Sequence, residues 1–199
     1  MAARYPGWTP RTCRSCHRRG TTSGSPARAT PSRATTVSAP GALTPEQVLE
    51  RYTGGPDSGV FTDGSASPNP GPGGWGAVYV VDGELVAQDH GHEPHTTNNR
   101  MELRALLAAL ELVPEGTPAV VYSDSNLAVR TITEWAAGWQ RRGWRRRTGP
   151  VENLDLVKPL YAGYTARPEL ELRWIKAHAG NRWNEYADAL ASGYRHDQP

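Results

Sequence analysis

The chain has 199 residues and a formal net charge of +2, long enough for one domain with a substantial core. The charge is uneven: residues 1–45 hold seven Arg and no acid, leaving 15 basic against 20 acidic side chains in the rest. Two cysteines, Cys13 and Cys16, offer the body no disulfide framework, and no apolar run approaches the ~18–20 residues that span a membrane.

Residues 1–45 contain only Val37 and Leu43 from the large aliphatic set, too little to offset chain entropy, and are expected to be a disordered basic tail. The tail's Arg- and Ser-rich character superficially resembles an organellar transit peptide. Pro6, Pro10 and the missing apolar face argue against the helix such a peptide needs. Cys13-Arg-Ser-Cys16-His17 fits the C-x-x-C-H haem-attachment pattern, but that chemistry needs export and no secretory apolar segment stands near the N-terminus. A cytoplasmic protein outside the membrane is the expectation, with residues 46–58 as linker, 59–195 as the globular domain and 196–199 as a short tail.

Val60-Phe61-Thr62 reads as a short buried strand leading to Asp63. Ala77–Val81 and Glu84–Gln88 flank Asp82-Gly83, a dipeptide suited to a type I′ hairpin turn. Leu103, Leu106, Leu107 and Leu110 recur at helical spacing, predicting a helix over about 98–112 that Pro114 and Gly116 stop. Ala119–Tyr122 is a second buried strand, ending at Asp124. Helices are expected over about 126–140 and 152–163, a last strand over 170–175, and a final helix over 182–194. The order β-β-β-α-β-α-α-β-α predicts an α/β fold. Its five-stranded mixed sheet has the first three strands antiparallel, the fourth and fifth parallel to the first, and helices on both faces.

Asp63 and Asp124 stand at the carboxyl ends of two strands that this topology makes neighbours, where open α/β sheets place ligands. Each alone would be an ordinary turn residue. Glu102 near a helix N-terminus and Asp188 within the last helix have similarly bland readings taken singly. Four acids gathered in one place would repel one another unless cations neutralised them. Gly71-Pro-Gly-Gly-Trp-Gly76 fits G-x-G-x-x-G letter for letter, but a strand and not a helix follows, so it is no dinucleotide fingerprint. These glycines are expected to let backbone approach a nucleic acid closely.

The segments FTDGSASPNPGPGGWGA, TTNNRMEL, YSDS, WQRRGW and WIKAHAGNRWNEYADALA, in this order, resemble type 1 ribonuclease H over Phe61 to about Tyr194. TTNNRMEL and DGS…NPGPGG are the specific ones; YSDS alone would be weak. The resemblance implies a ribonuclease H-like fold and an endonuclease cutting the RNA strand of RNA–DNA hybrids to 5′-phosphate and 3′-hydroxyl ends. It implies Asp63, Glu102, Asp124 and Asp188 as metal ligands for two Mg²⁺ ions roughly 4 Å apart, with Mn²⁺ as a substitute. His178 matches a mobile-loop histidine that orients water or moves a proton. Asn69, Thr97, Asn98, Asn99, Asn126 and Asn184 match substrate contacts, and capping is a concurrent role for Asn98 and Asn99. Trp139, Arg141, Arg142 and Trp144 resemble a basic protrusion, around 139–150, that grips the hybrid; Trp135 and Trp139 also suit the core. Val157 stands where the family often has an aromatic residue. The hybrid is the expected partner of a monomer. A hybrid-binding module without catalysis, or another nuclease or strand-transferase on this fold, are the alternatives.

Overall fold

The computed structural model describes residues 43–195. Cys13, Cys16, His17 and both expected tails, apart from residues 43–45, lie outside the described residues. The expected linker contains a helix, Pro45–Arg51 (α1). Thr44 Oγ1 accepts the Gln47 N–H and Gln47 Oε1 accepts the Thr44 N–H, a capping box with Pro45 at the first helical position. The boundary expected at 45 thus falls at a helix start.

Strand β1 (Gly59–Ala66) runs on through Asp63, because β2 (Gly71–Val81) pairs with it antiparallel from Val80 opposite Gly59 to Gly73 opposite Ala66. Asp82 and Gly83, at φ 52° and 78°, make the turn to β3 (Glu84–Thr96) with both central residues left-handed, as a type I′ turn requires. Both hairpin strands are longer than their apolar cores. The glycine-rich stretch is itself strand, with Gly74 and Gly76 paired to His92 and His90. A Cβ on Gly76 would lie 2.6 Å from Leu190 Cβ and 2.8 Å from the Ala187 carbonyl, so its bareness admits the last helix rather than a nucleic acid.

Helix α2 (Asn98–Leu112) leads to β4 (Ala119–Ser123). The stretch expected as one helix over 126–140 is broken into α3 (Asn126–Arg130), a π-turn at Thr131–Trp135 and α4 (Ala136–Arg141). A minimal hairpin pairs Arg145–Arg146 with Gly149–Pro150. Helix α5 (Leu154–Thr165), β5 (Leu170–Trp174) and α6 (Arg182–Ser192) complete the chain, with a 3₁₀ turn to Arg195.

The sheet order is β3-β2-β1-β4-β5, with β4 parallel to β1 and β5 parallel to β4, as the topology predicts. Neighbouring residues face opposite layers. Val60, Ala77 and Tyr79 join a core with α2 and α5, while Phe61, Val78 and Val80 join one with α6 and α1. That period of two explains why the central strands read as continuous apolar runs: both faces are covered.

Candidate active site

Parallel pairing sets Thr62 beside Ser123, so the next residue on each chain is an acid: Asp63 within β1 and Asp124 just past β4. From α2, Glu102 reaches the same point. One carboxylate oxygen from each of Asp63, Glu102 and Asp124 lies within 4.8 Å of the others. Asp188, on α6, comes within hydrogen-bonding reach of Asp63 from the opposite layer. It also forms a second group with His178 and Glu185, ligand atoms again within 4.8 Å of one another. Asp63, Glu102 and Asp124 thus come together as one group, and Asp188 reaches Asp63 from the neighbouring group.

The centre is electrostatically unfavourable as it stands. Burial first, then repulsion from Asp124 and Asp188, holds the Asp63 carboxyl well above its ordinary 3.8, against a lowering hydrogen bond from Gly64. Glu102 is raised well above 4.5 by burial and by Asp63, Asp124 and Asp188. Its Oε2 is fully buried without a hydrogen-bond partner. Asp124 is raised more moderately; burial and Asp188 push it up, while the Asn184 amide and His178 pull it down. Three carboxylates crowded in a low-dielectric pocket, one with an orphaned oxygen, are a donor set suited to hard divalent cations. The residues fit such ions.

Asp124 is held from two sides. Asn184 Nδ2 donates to its carboxylate at 3.2 Å, and the Trp174 indole N–H donates to its backbone carbonyl at 3.0 Å. Asn184 is 2% exposed, its Oδ1 buried and unpartnered. His178 lies in the loop before α6 at φ 48°, its side chain 75% exposed. Glu185 holds that loop: its Oε1 accepts the Gly180 N–H at 3.3 Å and its Oε2 lies 3.7 Å from His178 Nδ1. Sequence reasoning missed Glu185 and Trp174. Glu185 sits three residues before Asp188, the spacing that shares a helix face, and that signal was available.

A family model described as RNase H matches residues 56–195. The chain belongs to the ribonuclease H family, type 1. It is 47% identical over 133 residues to a ribonuclease H of Methylorubrum extorquens, spanning 67% of this chain but only 58% of that relative. It is 46% identical over 142 residues to the ribonuclease HI of Caulobacter vibrioides, covering 70% and 94% of the two chains. Among solved structures it resembles LC9-RNase H1, a type 1 RNase H with the type 2 active-site motif, at TM-score 0.60 and 33% identity, covering 74% and 76%. It also resembles LC11-RNase H1 in complex with an RNA/DNA hybrid, at TM-score 0.50 and 26% identity, covering 67% and 93%.

Around the acids of this ribonuclease H, the α2 N-terminus is tied to the loop after β1. Thr97, not Asn98, is the N-cap, its Oγ1 accepting the Arg100 N–H at 3.3 Å. Asn98 Oδ1 accepts the Ala66 N–H at 2.5 Å, and Asn69 Oδ1 accepts the Asn98 N–H at 3.2 Å. Asn69 and Asn98 are exposed, Asn99 half-buried, and Asn126 exposed at the start of α3, where Ser125 is the cap. Trp139 and Trp144 are both half-buried against the first core; Trp144 meets Tyr161 edge-on, with rings 6.1 Å apart. Arg141, Arg142, Arg145 and Arg147 are exposed. Arg146 instead donates to the Pro150 carbonyl and pairs with Glu152 at 3.1 Å. No helix among the described residues is long and apolar enough to cross a membrane.

Proposed function

We propose that the protein hydrolyses the RNA strand of RNA–DNA hybrids in a reaction dependent on two Mg²⁺ ions, for which Mn²⁺ can substitute. The observation that carries this is the convergence of Asp63, Glu102 and Asp124 oxygens within 4.8 Å, with a buried Glu102 oxygen lacking any partner. Family membership supplies the substrate class, and a hybrid is bound in the solved LC11-RNase H1 structure.

Asp63, Glu102, Asp124 and Asp188 would hold the ions. When bound, divalent cations offset the phosphate charge and lower the barrier for water to attack phosphorus and for the 3′ oxygen to leave. Attack forms the new P–O bond as the P–O3′ bond breaks, yielding 5′-phosphate and 3′-hydroxyl ends. Asn184 keeps the Asp124 carboxylate in one orientation. His178, exposed at the rim, takes or delivers a proton or helps the product depart. The carbonyl oxygens of Asn69 and Asn98 are engaged internally, which orients their amides towards donating. With Asn99 and Asn126 they can meet the 2′-hydroxyls and base edges that mark the RNA strand, and Thr97 a phosphate of the DNA strand. Trp139, Trp144 and the exposed arginines grip the backbone farther along. The enzyme acts as a cytoplasmic monomer in this reading.

The test compares cleavage of labelled RNA–DNA hybrid, single-stranded RNA and duplex DNA with and without Mg²⁺. Cleavage confined to the RNA of the hybrid and abolished by chelation is expected. Asp63→Asn should lower turnover by more than about 1,000-fold while hybrid binding persists, because several kcal/mol of charge stabilisation is lost. Wild-type binding without cleavage would instead make the protein a hybrid-binding module.

A further inference from the structure

Residues 43–55 precede the stretch that the family model matches, yet they touch the catalytic layer. Val48 of α1 is 1% exposed and packs in the same core as Trp183, Tyr186 and Leu190 of α6. Past α1 the chain turns along the start of α6, where Gly54 forms an isolated parallel bridge with Asn181. The Gly54 carbonyl accepts the Arg182 N–H at 2.8 Å.

That bond fills a gap. The first amides of a helix have no intrahelical partner and normally use the N-cap side chain. Asn181 is the N-cap of α6, and its side chain makes no such bond. An amide at the start of α6 is therefore capped by backbone from a segment more than a hundred residues earlier. Immediately before Asn181 lies the loop that carries His178. Asn184, Glu185 and Asp188 stand on the helix that follows.

We propose that residues 43–55 are a positioning strap for the reaction: α1 anchors on α6, and Gly54 caps its first turn, setting the end of the His178 loop and the register of Asp188. Gly55 fits this path for two reasons. Its φ is +100°, and a Cβ there would lie 2.8 Å from Asn181 Oδ1 and 3.1 Å from Asn181 Cα. Any larger residue lifts the strap off Asn181 without touching an acid. Small errors in placement at the reacting centre reduce turnover far more than binding.

The positioning role rests on the proposed hybrid cleavage, and the test reads the cap separately from activity. Gly55→Val and Val48→Ala are made in the full chain, with amide hydrogen exchange followed at Arg182 and at Val60 and Val121 in the sheet. Exchange at Arg182 should quicken about five- to tenfold, the loss of one helix cap. The sheet amides should quicken less than Arg182 in both variants, the small loss of core packing in Val48→Ala being shared by the whole domain, and hybrid turnover should fall with little change in KM. Three results would overturn the proposal: unaltered exchange at Arg182, equal acceleration in the sheet, or faster exchange at Arg182 with normal turnover. If the wild-type protein cleaves no hybrid, the functional reading fails, while exchange at Arg182 still decides whether the strap caps α6.

Discussion

At the acid centre, Asp63 is 8% exposed and sits in a strand paired on both sides, roofed by α2 and floored by α6. At the protrusion, Arg141 and Arg142 at the end of α4 and Arg145 and Arg147 on a hairpin of two residues per strand are exposed, and the segment is held through Trp144 on Tyr161 and Arg146 on Glu152. The contrast follows from what each must do. Carboxylates that share ions have to be placed within fractions of an ångström, so they are mounted on the central strands and on the helices packed against them. Charges that meet a phosphate ladder need only reach it, and freedom there costs little.

The contrast breaks most sharply at Gly64. A Cβ there would fall under 3.0 Å from the backbone of Met101 and Glu102, so only glycine lets α2 lie this close to β1. Backbone cannot yield as a side-chain tip would. Gly64→Ala should cost roughly 1–3 kcal/mol or more of stability and, by displacing Glu102 from Asp63, about 100-fold in turnover. Chemical denaturation and single-turnover cleavage measure both. Near-normal turnover would mean that the centre tolerates displacement as the protrusion does.

Titration separates the two regions next. Burial and mutual repulsion raise the carboxyls of Asp63, Glu102 and Asp124 above their ordinary values. A carboxyl raised on folding binds more protons in the native than in the unfolded state between its two pKa values, so stability falls as pH rises through that window. In chelator, the contribution of this centre should therefore be largest in mildly acidic buffer and smaller in mildly alkaline buffer. Asp63→Asn should flatten the difference, and Mg²⁺ should restore alkaline stability. Cleavage should run the opposite way, failing on acidification at a pH above that of ordinary carboxylates, because protons compete with cations for the same oxygens. Melting curves across pH, with and without Mg²⁺, check the sign; a metal-free protein whose Asp63-dependent stability rises with pH would contradict it.

How much of this could be read from the chain alone varies with how locally it is encoded. The sheet order and the meeting of Asp63 with Asp124 were legible, because Val60–Thr62 and Ala119–Tyr122 are short strand runs leading to acids and the helices between them force parallel pairing, whereas Glu102 and Asp188 were reached only through the family resemblance. The start of β2 was not legible, since four of the six residues in Gly71–Gly76 are glycine and strand propensity resides in side chains. Helix α1 escaped notice because it is only seven residues long, with Val48 and Leu49 its only apolar side chains apart from Pro45, and its burial comes from Trp183 and Tyr186, far along the chain. The π-turn at Thr131–Trp135 leaves the apolar pattern of a continuous helix undisturbed. Glu185 shares a helix face with Asp188, but that it holds the His178 loop shows only in the fold.

The smallest effect on chemistry belongs to the protrusion. Replacing Arg141, Arg142, Arg145 and Arg147 with Gln leaves Arg146, whose bonds to Pro150 and Glu152 keep the hairpin folded. For every phosphate that one of these arginines neutralises, its replacement should reduce the salt dependence of hybrid affinity by about 0.9 in log–log slope, so up to about 3–4 in all. Turnover at saturating hybrid should stay at the wild-type level, because the acids stand on β1, on α2, just past β4 and on α6, and none on the protrusion. The variant thus measures reach without placement. An unchanged slope would deny the hairpin any grip on the phosphate backbone, and a fall in saturated turnover would show that gripping the hybrid here also aligns it over Asp63.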